Sequence, residues 1–245
     1  LRRQRQMCIR DSYDRLKKLG AQFGQVNGWE RPNYYADKDF NDLDSRSFRR
    51  GKWWEYSKNE AQAIRHQVGL IEISAFTKHI VKGPGAALFL DWFTCNRLPK
   101  VSRINLTYAL TDAGTTRTEY TIVRLKQDEF YLVSAGAWTD YDADFLIKSA
   151  EDKFPEFGYI EIQDVTSQWG VFAVAGPKSR EFLSQLIRDE DQDTALSNAR
   201  FPWLSFKRVE LAMCPINAIR VSYTGELGWE LHHPIEMQNY LFDLL

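Results

Sequence analysis

Three segments rich in β-forming residues follow one another at residues 105–111, 115–125 and 130–134. The sequences between them, residues 112–114 and 126–129, are short and turn-like in composition. Connections this short join neighbouring strands that run in opposite directions. The pattern therefore predicts an antiparallel meander in the middle of the chain.

Segments with helical periodicity interrupt the strands. Ser57 and Glu60 form an S-x-x-E capping box ahead of apolar residues at helical spacing, which predicts a helix start there. Further helices are predicted at residues 14–20, 86–93 and 139–150, after Gly176-Pro177, and from Pro234 onward. Further strands are predicted at residues 79–81, 159–165, 171–175, 208–213, 216–223 and 229–232. Together these predict an α+β fold with mixed, largely antiparallel sheets and flanking helices.

Composition excludes several classes of protein. The chain has 245 residues, of which 44% are hydrophobic and 27% charged, as in an ordinary folded domain. The net charge of −1 argues against nucleic-acid binding through bulk positive charge. No apolar run approaches the roughly 18 residues that a membrane span needs. We therefore expect neither a nucleic-acid partner nor a membrane partner.

Motif searches are negative for several common sites. The cysteines Cys8, Cys95 and Cys214 form no C-x-x-C pair, so we expect free thiols and no structural zinc. The four histidines show no H-x-x-x-H spacing, and His232 and His233 should point to opposite faces of a strand. The sequence contains no G-x-G-x-x-G, which argues against a dinucleotide-binding unit in this segment. The run Gly176-Pro177-Lys178-Ser179-Arg180 allows either a helix that starts with Pro177 at its first position or an anion site at a helix N-terminus.

The most unusual stretch runs from residue 220 to residue 230, with the sequence RVSYTGELGWE. Tyr223 ends one predicted strand and Glu230 lies on the next, so the strand pair could bring them together. A phenol beside a carboxylate suits a flat heterocycle with adjacent N–H donors, because the ring stacks and the carboxylate accepts hydrogen bonds. The competing interpretation is an ordinary hairpin with an exposed acid.

A second carboxylate interrupts the strand at residues 115–125. Alternation places Glu119, Thr121 and Val123 on one face. If that face is internal, partial burial makes Glu119 a better proton acceptor near neutral pH. If it is external, Glu119 is a solvated surface charge.

In combination, several segments resemble the glycine-cleavage T-protein (aminomethyltransferase) family. They are VGLIEISAFTKHIVKGPGA from residue 68, CNRLP from residue 95, GTTRTEYTI from residue 114, VAGPKSR from residue 174 and RVSYTGELGWEL from residue 220. Within that family, the GWERP block at residues 28–32 looks most like dimethylglycine and sarcosine dehydrogenases. The resemblance implies a T-protein-like folate-binding domain.

The resemblance also implies roles for particular residues. Glu230 would bind the N–H edge of the pterin, and Tyr223 would contact the ring. Asn96 is a weaker candidate for a residue that lines the site. Glu119 would act near the folate nitrogens as a base or charge stabiliser. Thr118 and Leu106 depart from the T-protein pattern, which usually has an aspartate and a tyrosine there.

The implied chemistry is one-carbon transfer. A flavin oxidises a methylated amine to an iminium, a formaldehyde equivalent, and tetrahydrofolate captures it as 5,10-methylenetetrahydrofolate. The cofactors would be tetrahydrofolate in this segment and FAD in a missing upstream domain. The alternatives are a stand-alone aminomethyltransferase of the glycine cleavage system and a non-catalytic folate-binding module.

The same resemblance suggests a domain organisation. Residues 1–12 look non-native, residues 13–50 would end an FAD-dependent oxidoreductase domain, and residues 51–245 would form a folate domain truncated at its C-terminus. The isolated segment need not be active. The basic opening lacks the apolar core of a secretory signal, so we expect the cytoplasm in a bacterium or the mitochondrial matrix in a eukaryote.

Overall fold

The computed structural model describes residues 12–26, 29–37, 40 and 48–245. Residues 1–12 were predicted to be non-native, and residues 1–11 of them, including Cys8, lie outside this range. Gly28 of the GWERP block also lies outside it.

Helices and strands alternate along the chain. The helices are α1 (Tyr13–Lys18), α2 (Trp53–His66), α3 (Ala86–Phe93), α4 (Thr139–Phe157), α5 (Ser179–Ser184), α6 (Gln192–Ala195) and α7 (Gln238–Leu244). The first strands are β1 (Ala21–Val26), β2 (Trp29–Tyr35), β3 (Gly69–Glu72), β4 (Thr77–Lys82), β5 (Ile104–Leu110), β6 (Thr116–Lys126) and β7 (Glu129–Ser134). The remaining strands are β8 (Glu161–Asp164), β9 (Trp169–Ala175), β10 (Phe206–Leu211), β11 (Cys214–Ile219) and β12 (Gly228–Pro234).

The strands form two five-stranded sheets and one hairpin. Sheet I has the order β10-β11-β12-β9-β3, sheet II has the order β5-β6-β7-β4-β8, and β1 pairs with β2. Every strand pair is antiparallel. The predicted meander is confirmed as β5, β6 and β7, and the predicted α+β class is confirmed.

The two sheets pack against each other and carry helices on their outer faces. Phe172 and Trp229 of sheet I pack with Leu183 of α5 and Leu241 of α7. On sheet II, residues of β4, β6 and β7 pack with α3 and α4, a core that includes Val81, Tyr120, Leu132, Phe89 and Leu146. A third core joins the sheets, with Val123 and Tyr131 from sheet II beside Phe206 and Ile219 from sheet I. Because side chains alternate along each strand, one face of each sheet packs against helices and the other face packs against the opposite sheet.

The aromatic segment after residue 28 forms a strand, β2, which is absent from the strands predicted above. Pro32 lies on β2 and pairs with Phe23, next to a register shift between Gln22 and Phe23. Proline has no backbone N–H and is tolerated in a strand at an edge or a bulge, which this two-stranded sheet provides.

Three predicted boundaries are wrong. Helix α2 begins at Trp53, one turn before Ser57, and the Glu60 carboxylate accepts a hydrogen bond from the backbone N–H of Tyr35 at 2.7 Å. Glu60 of the apparent capping box thus connects α2 to β2 by this hydrogen bond. Helix α5 begins at Ser179, so Pro177 precedes the helix and is not its first residue. Strand β11 ends at Ile219, four residues before the predicted end at Tyr223.

Candidate functional site

One face of sheet II looks toward sheet I, and we call it the inter-sheet face. Its cross-strand register defines three successive rows: Ile80, Tyr131, Val123 and Ile104; then Lys78, Val133, Thr121 and Leu106; then Glu119 and Tyr108. The first row belongs to the core between the sheets. Leu106 and Glu119 are exposed, so this face opens to solvent at the second and third rows.

Glu230 faces these rows from sheet I. It lies on β12 two residues before His232, and side chains two residues apart share a face of a strand. Nε2 of His232 lies 3.2 Å from Oε2 of Glu230, and Nδ1 of His232 lies 2.9 Å from the hydroxyl of Tyr131 on β7. His232 and Tyr131 are buried, whereas the Glu230 side chain keeps 21% of its exposure. A buried chain of hydrogen bonds thus ends at an accessible carboxylate.

Burial shifts the two inner members of this chain toward their neutral forms. Desolvation lowers the pKa of the His232 imidazole, although Glu230 acts in the opposite direction. Desolvation also raises the pKa of the Tyr131 phenol well above its ordinary value, with a further contribution from the Glu230 charge. Tyr131 therefore stays protonated near neutral pH, and its hydroxyl keeps a proton to donate.

Lys78 is a buried cation in the second row. Its Nζ donates hydrogen bonds to the carbonyls of Ser74 and Phe76, both at 2.7 Å. Desolvation lowers the pKa of the Lys78 ammonium to about 7, opposed by nearby carboxylates that include Glu230 and Glu72. The Glu230 charge acts on both Lys78 and Tyr131, and Glu230 shares the face of His232, which bonds to Tyr131 in the first row.

Glu119 lies in the third row on β6, directly opposite Tyr108 of β5. A hydrogen bond to the Glu119 carboxylate raises the pKa of the Tyr108 phenol. Glu119 shares the face of Val123, as alternation predicted, but it is exposed. The covered part of the inter-sheet face ends before this row, so of the two predicted placements of Glu119 the external one is observed.

Asn96 closes the edge of sheet II beside this row. Its side-chain Nδ2 donates to the carbonyl of Leu106 at 2.8 Å, and its backbone N–H donates to Oγ1 of Thr107 at 3.1 Å. The backbone N–H of Cys95 donates to the carbonyl of Tyr108 at 2.9 Å. Asn96 and Glu119 are therefore on opposite sides of the same strand, β5, at the open end of the inter-sheet face.

Tyr223 does not meet Glu230. The partner of Glu230 on β11 is Ile219, and Tyr223 lies in the loop between β11 and β12. Its side chain is fully exposed, so the prediction that this strand pair brings Tyr223 and Glu230 together is wrong. The strand stops early because Arg220, the residue after Ile219, turns toward residues 198–201, where it donates to the carbonyl of Phe201 and to Oδ1 of Asn198.

Other predictions about polar residues can be checked in the described ranges. His233 stacks on Phe172 and bonds to Gln238, so the two adjacent histidines do point to opposite faces. Cys95 and Cys214 are free thiols. Within residues 12–26, 29–37, 40 and 48–245, no His, Cys, Asp and Glu side chains cluster in a way that could hold a metal. In the same part of the chain, no helix is long and apolar enough to cross a bilayer.

Four residues of this region were missed by sequence reasoning: Lys78, Tyr108, Tyr131 and His232. Alternation along the β-rich runs would have put Tyr108 on the face of Leu106 and Tyr131 on the face of Val133. The burial of Lys78 and His232 depends on the packing of two sheets, and local sequence patterns do not predict that packing.

The comparison with known families rests on nearly the whole chain. Residues 12–245 match the GCVT N-terminal domain. The chain belongs to this family. Mitochondrial dimethylglycine dehydrogenase of Mus musculus is 34% identical over 92% of the chain, a match that covers 25% of that protein. Aminomethyltransferase of Mycobacterium bovis is 28% identical over 95% of the chain, a match that covers 54% of that protein.

The fold also matches a solved structure of the same group. The glycine cleavage system aminomethyltransferase T from Bartonella henselae superposes with a TM-score of 0.71 at 24% identity, over 94% of this chain and 55% of that one. The chain thus spans about a quarter of the dimethylglycine dehydrogenase and about half of the aminomethyltransferases that it matches. The predicted T-protein-like fold and family resemblance are confirmed.

Proposed function

We propose that this chain is the tetrahydrofolate-binding, one-carbon transfer domain of an FAD-dependent demethylating dehydrogenase of the dimethylglycine or sarcosine type. The observation that carries the proposal is the position of Glu230. Its carboxylate is held by His232 at one oxygen, keeps 21% exposure and faces the open rows of sheet II. The 34% identity to a dimethylglycine dehydrogenase supports the choice of enzyme type.

The donor and acceptor chemistry at Glu230 fits tetrahydrofolate. A carboxylate offers two acceptor oxygens, and the pterin edge offers adjacent N–H donors, so the two groups match as a bidentate pair. Tetrahydrofolate, when bound, supplies the nucleophilic nitrogens that take up the one-carbon unit. Leu106 and Thr121 offer a mixed apolar and polar surface in the second row of the inter-sheet face, as a flat ring with polar edges requires.

Four further residues have proposed roles around the ring. Glu119 takes the proton released as the folate nitrogen forms its new bond, or stabilises the charge that develops there. Tyr108, directly opposite on β5, is proposed to orient this carboxylate. A positioned base of this kind contributes roughly 10²- to 10⁴-fold to a rate. Asn96 lines the rim, where its amide already bonds to the strand edge. Tyr223 would reach the ring only if its exposed loop folds toward it.

The oxidation step is assigned to another part of the protein. The sequence contains no G-x-G-x-x-G, so we place the FAD and the methylated amine on an upstream domain, with residues 13–50 as the junction and residues 51–245 as the folate domain. In this arrangement the chain receives an iminium or formaldehyde unit and transfers it. The setting would be the mitochondrial matrix of a eukaryote or the cytoplasm of a bacterium.

A stand-alone aminomethyltransferase of the glycine cleavage system is the alternative, favoured by the likeness to the aminomethyltransferase of Mycobacterium bovis. That enzyme type would use a lipoyl-bound aminomethyl group as its one-carbon source. A transfer assay with free formaldehyde and with an aminomethyl-lipoyl carrier separates the two enzymes. Tetrahydrofolate binding without transfer from either donor would instead identify a non-catalytic folate-binding module.

The proposal is tested by titrating the chain with tetrahydrofolate and following tryptophan fluorescence. We expect saturable binding that Glu230→Ala weakens by at least about tenfold, because a charge-assisted pair is lost. The control Glu210→Ala removes an exposed glutamate from another strand of the same sheet and should bind like the parent. Equal affinity of Glu230→Ala and the parent would refute the pterin assignment.

A further inference from the structure

The hydrogen bonds behind Glu230 have only one consistent arrangement of protons. His232 bonds to Tyr131 through Nδ1 and to Glu230 through Nε2. Its imidazole is buried and its pKa is lowered, so the ring is neutral and carries one N–H. The opposite tautomer would aim the lone pair of Nε2 at a carboxylate oxygen, which is also an acceptor.

The Glu230 carboxylate settles which nitrogen carries the proton, and the Tyr131 hydroxyl completes the arrangement at the other nitrogen. The Tyr131 phenol remains protonated, because burial raises its pKa well above the ordinary value. It can therefore donate to Nδ1, which leaves the ring proton on Nε2 to donate to Glu230. Second partners of this kind fix the tautomer and orientation of a histidine in many active sites.

From this geometry we infer that Tyr131 and His232 are positioning residues, which hold the Glu230 carboxylate in the orientation that receives the N–H donors of the ligand. Oε2 of Glu230 is anchored, so the rotation of the carboxylate is restricted before the ligand arrives. Restricting a group in its bound orientation lowers the entropic cost of binding. The inference rests on the proposed function, because it takes the ligand of Glu230 to be tetrahydrofolate.

Other charged groups around His232 do not replace this arrangement. Lys78 acts on His232 electrostatically and disfavours a charged imidazole. His232 in turn disfavours a charged His233, which lies on the opposite face of β12. Nζ of Lys78 donates to the carbonyls of Ser74 and Phe76. The direct hydrogen bond to Glu230 comes from His232.

The first test needs no ligand. The ¹⁵N NMR spectrum of the imidazole rings, assigned with His232→Gln, should show His232 protonated at Nε2 in the parent chain. In Tyr131→Phe, which keeps the ring and removes the hydroxyl, the Nδ1 resonance should shift because Nδ1 loses its hydrogen-bond donor, while the Glu230 carboxylate keeps the proton on Nε2. A His232 protonated at Nδ1 in the parent would overturn the inference whatever the chain binds.

The second test measures coupling to Glu230. Tyr131→Phe should weaken tetrahydrofolate binding by about threefold to tenfold in the parent background, the worth of one hydrogen bond. In the Glu230→Gln background the same change should have an effect below about 1.5-fold, because residues in one network are not additive. An equal loss in both backgrounds would show a merely structural role and would overturn the inference.

Variants of His232 complete the design. His232→Gln keeps a donor near the position of Nε2 and should retain tighter binding than His232→Leu, which removes the donor. If both bind equally, the donor to Glu230 has no role and the inference fails. If Glu230→Ala itself binds tetrahydrofolate like the parent, the proposed function fails, and the NMR result still decides the proton arrangement.

Discussion

His232 and Glu230 lie on the same face of one strand, with 3.2 Å between Nε2 of the imidazole and Oε2 of the carboxylate. The same imidazole reaches 2.9 Å from the hydroxyl of Tyr131 on the opposing sheet. The carboxylate that the family resemblance assigns to the pterin is therefore connected to the core that joins the two sheets. Stability and ligand binding share these residues, so variants must be chosen to separate the two.

Tyr223→Ala tests whether the exposed loop takes part in binding. The side chain is fully exposed, so its removal should leave the melting temperature unchanged. If the loop closes on the ligand, the lost ring contact should weaken tetrahydrofolate binding by about threefold to tenfold. Phe48→Ala removes another fully exposed aromatic ring and should change neither quantity. Unchanged affinity of Tyr223→Ala would remove Tyr223 from the site.

Glu119→Gln tests the proposed proton acceptor. The rate of one-carbon transfer, corrected for the uncatalysed reaction of formaldehyde with tetrahydrofolate, should fall by about 10²-fold. Affinity should change little, because Glu119 is proposed to act on the reacting nitrogens. Tyr108→Phe should lower the rate less, and the exposed Glu151→Gln on α4 should match the parent. An unchanged rate in Glu119→Gln would show that this carboxylate is not the catalytic group.

Thr118→Val tests a residue that departs from the T-protein pattern and has a structural role here. Oγ1 of Thr118 donates to the buried carboxyl of Asp142 on α4. Loss of that donor should lower the free energy of unfolding by about 1–3 kcal/mol, as for other buried groups that lose a partner. Chemical denaturation would measure this, with exposed Thr116→Val as the control. Tetrahydrofolate affinity should not change, and a large loss of affinity would place Thr118 in the site.

Lys78→Met tests the buried ammonium through the pH dependence of stability. Because the pKa of Lys78 falls from 10.5 to about 7 on folding, the unfolded chain binds more protons than the folded chain between pH 7 and 10.5. The free energy of unfolding of the parent should therefore rise with pH in this window, by up to about 1.4 kcal/mol per pH unit.

Lys78→Met should flatten that rise, whereas Lys148→Met, which removes an exposed ammonium, should leave it intact. Denaturant titrations at several pH values between 7 and 10 give the slopes directly. Parallel slopes for the parent and Lys78→Met would mean that the ammonium titrates in the folded chain as it does in water.

Local patterns predicted the regular elements well where packing follows alternation or helical periodicity. For the meander of β5, β6 and β7 and for the helix α3 (Ala86–Phe93), most predicted boundaries lie within one residue of the observed ones. Strand β2 was missed because Pro32 and several aromatics suggest a turn, whereas a two-stranded edge sheet accepts them. The predicted start of α2 is wrong because Glu60, read as part of a capping box, accepts a hydrogen bond from Tyr35, which is distant in sequence.

The site was predicted less completely than the fold. Alternation placed Glu119 on the face of Val123, and the structure agrees, but exposure depends on where sheet I stops covering sheet II. The predicted meeting of Tyr223 with Glu230 assumed that β11 continues to Tyr223, and Arg220 ends the strand by bonding to Phe201 and Asn198. The buried chain behind Glu230 spans two sheets, so only the tertiary structure could show it.

The central claim is that Glu230 receives the pterin at the open end of the face between the sheets. A crystal structure of the chain with tetrahydrofolate tests it most directly. We expect the N–H edge of the pterin at about 2.7–3.2 Å from the Glu230 carboxylate, with His232 still bonded to Oε2 and the ring facing Leu106 and Thr121. A pterin bound elsewhere on the chain, with no contact to Glu230, would contradict the claim.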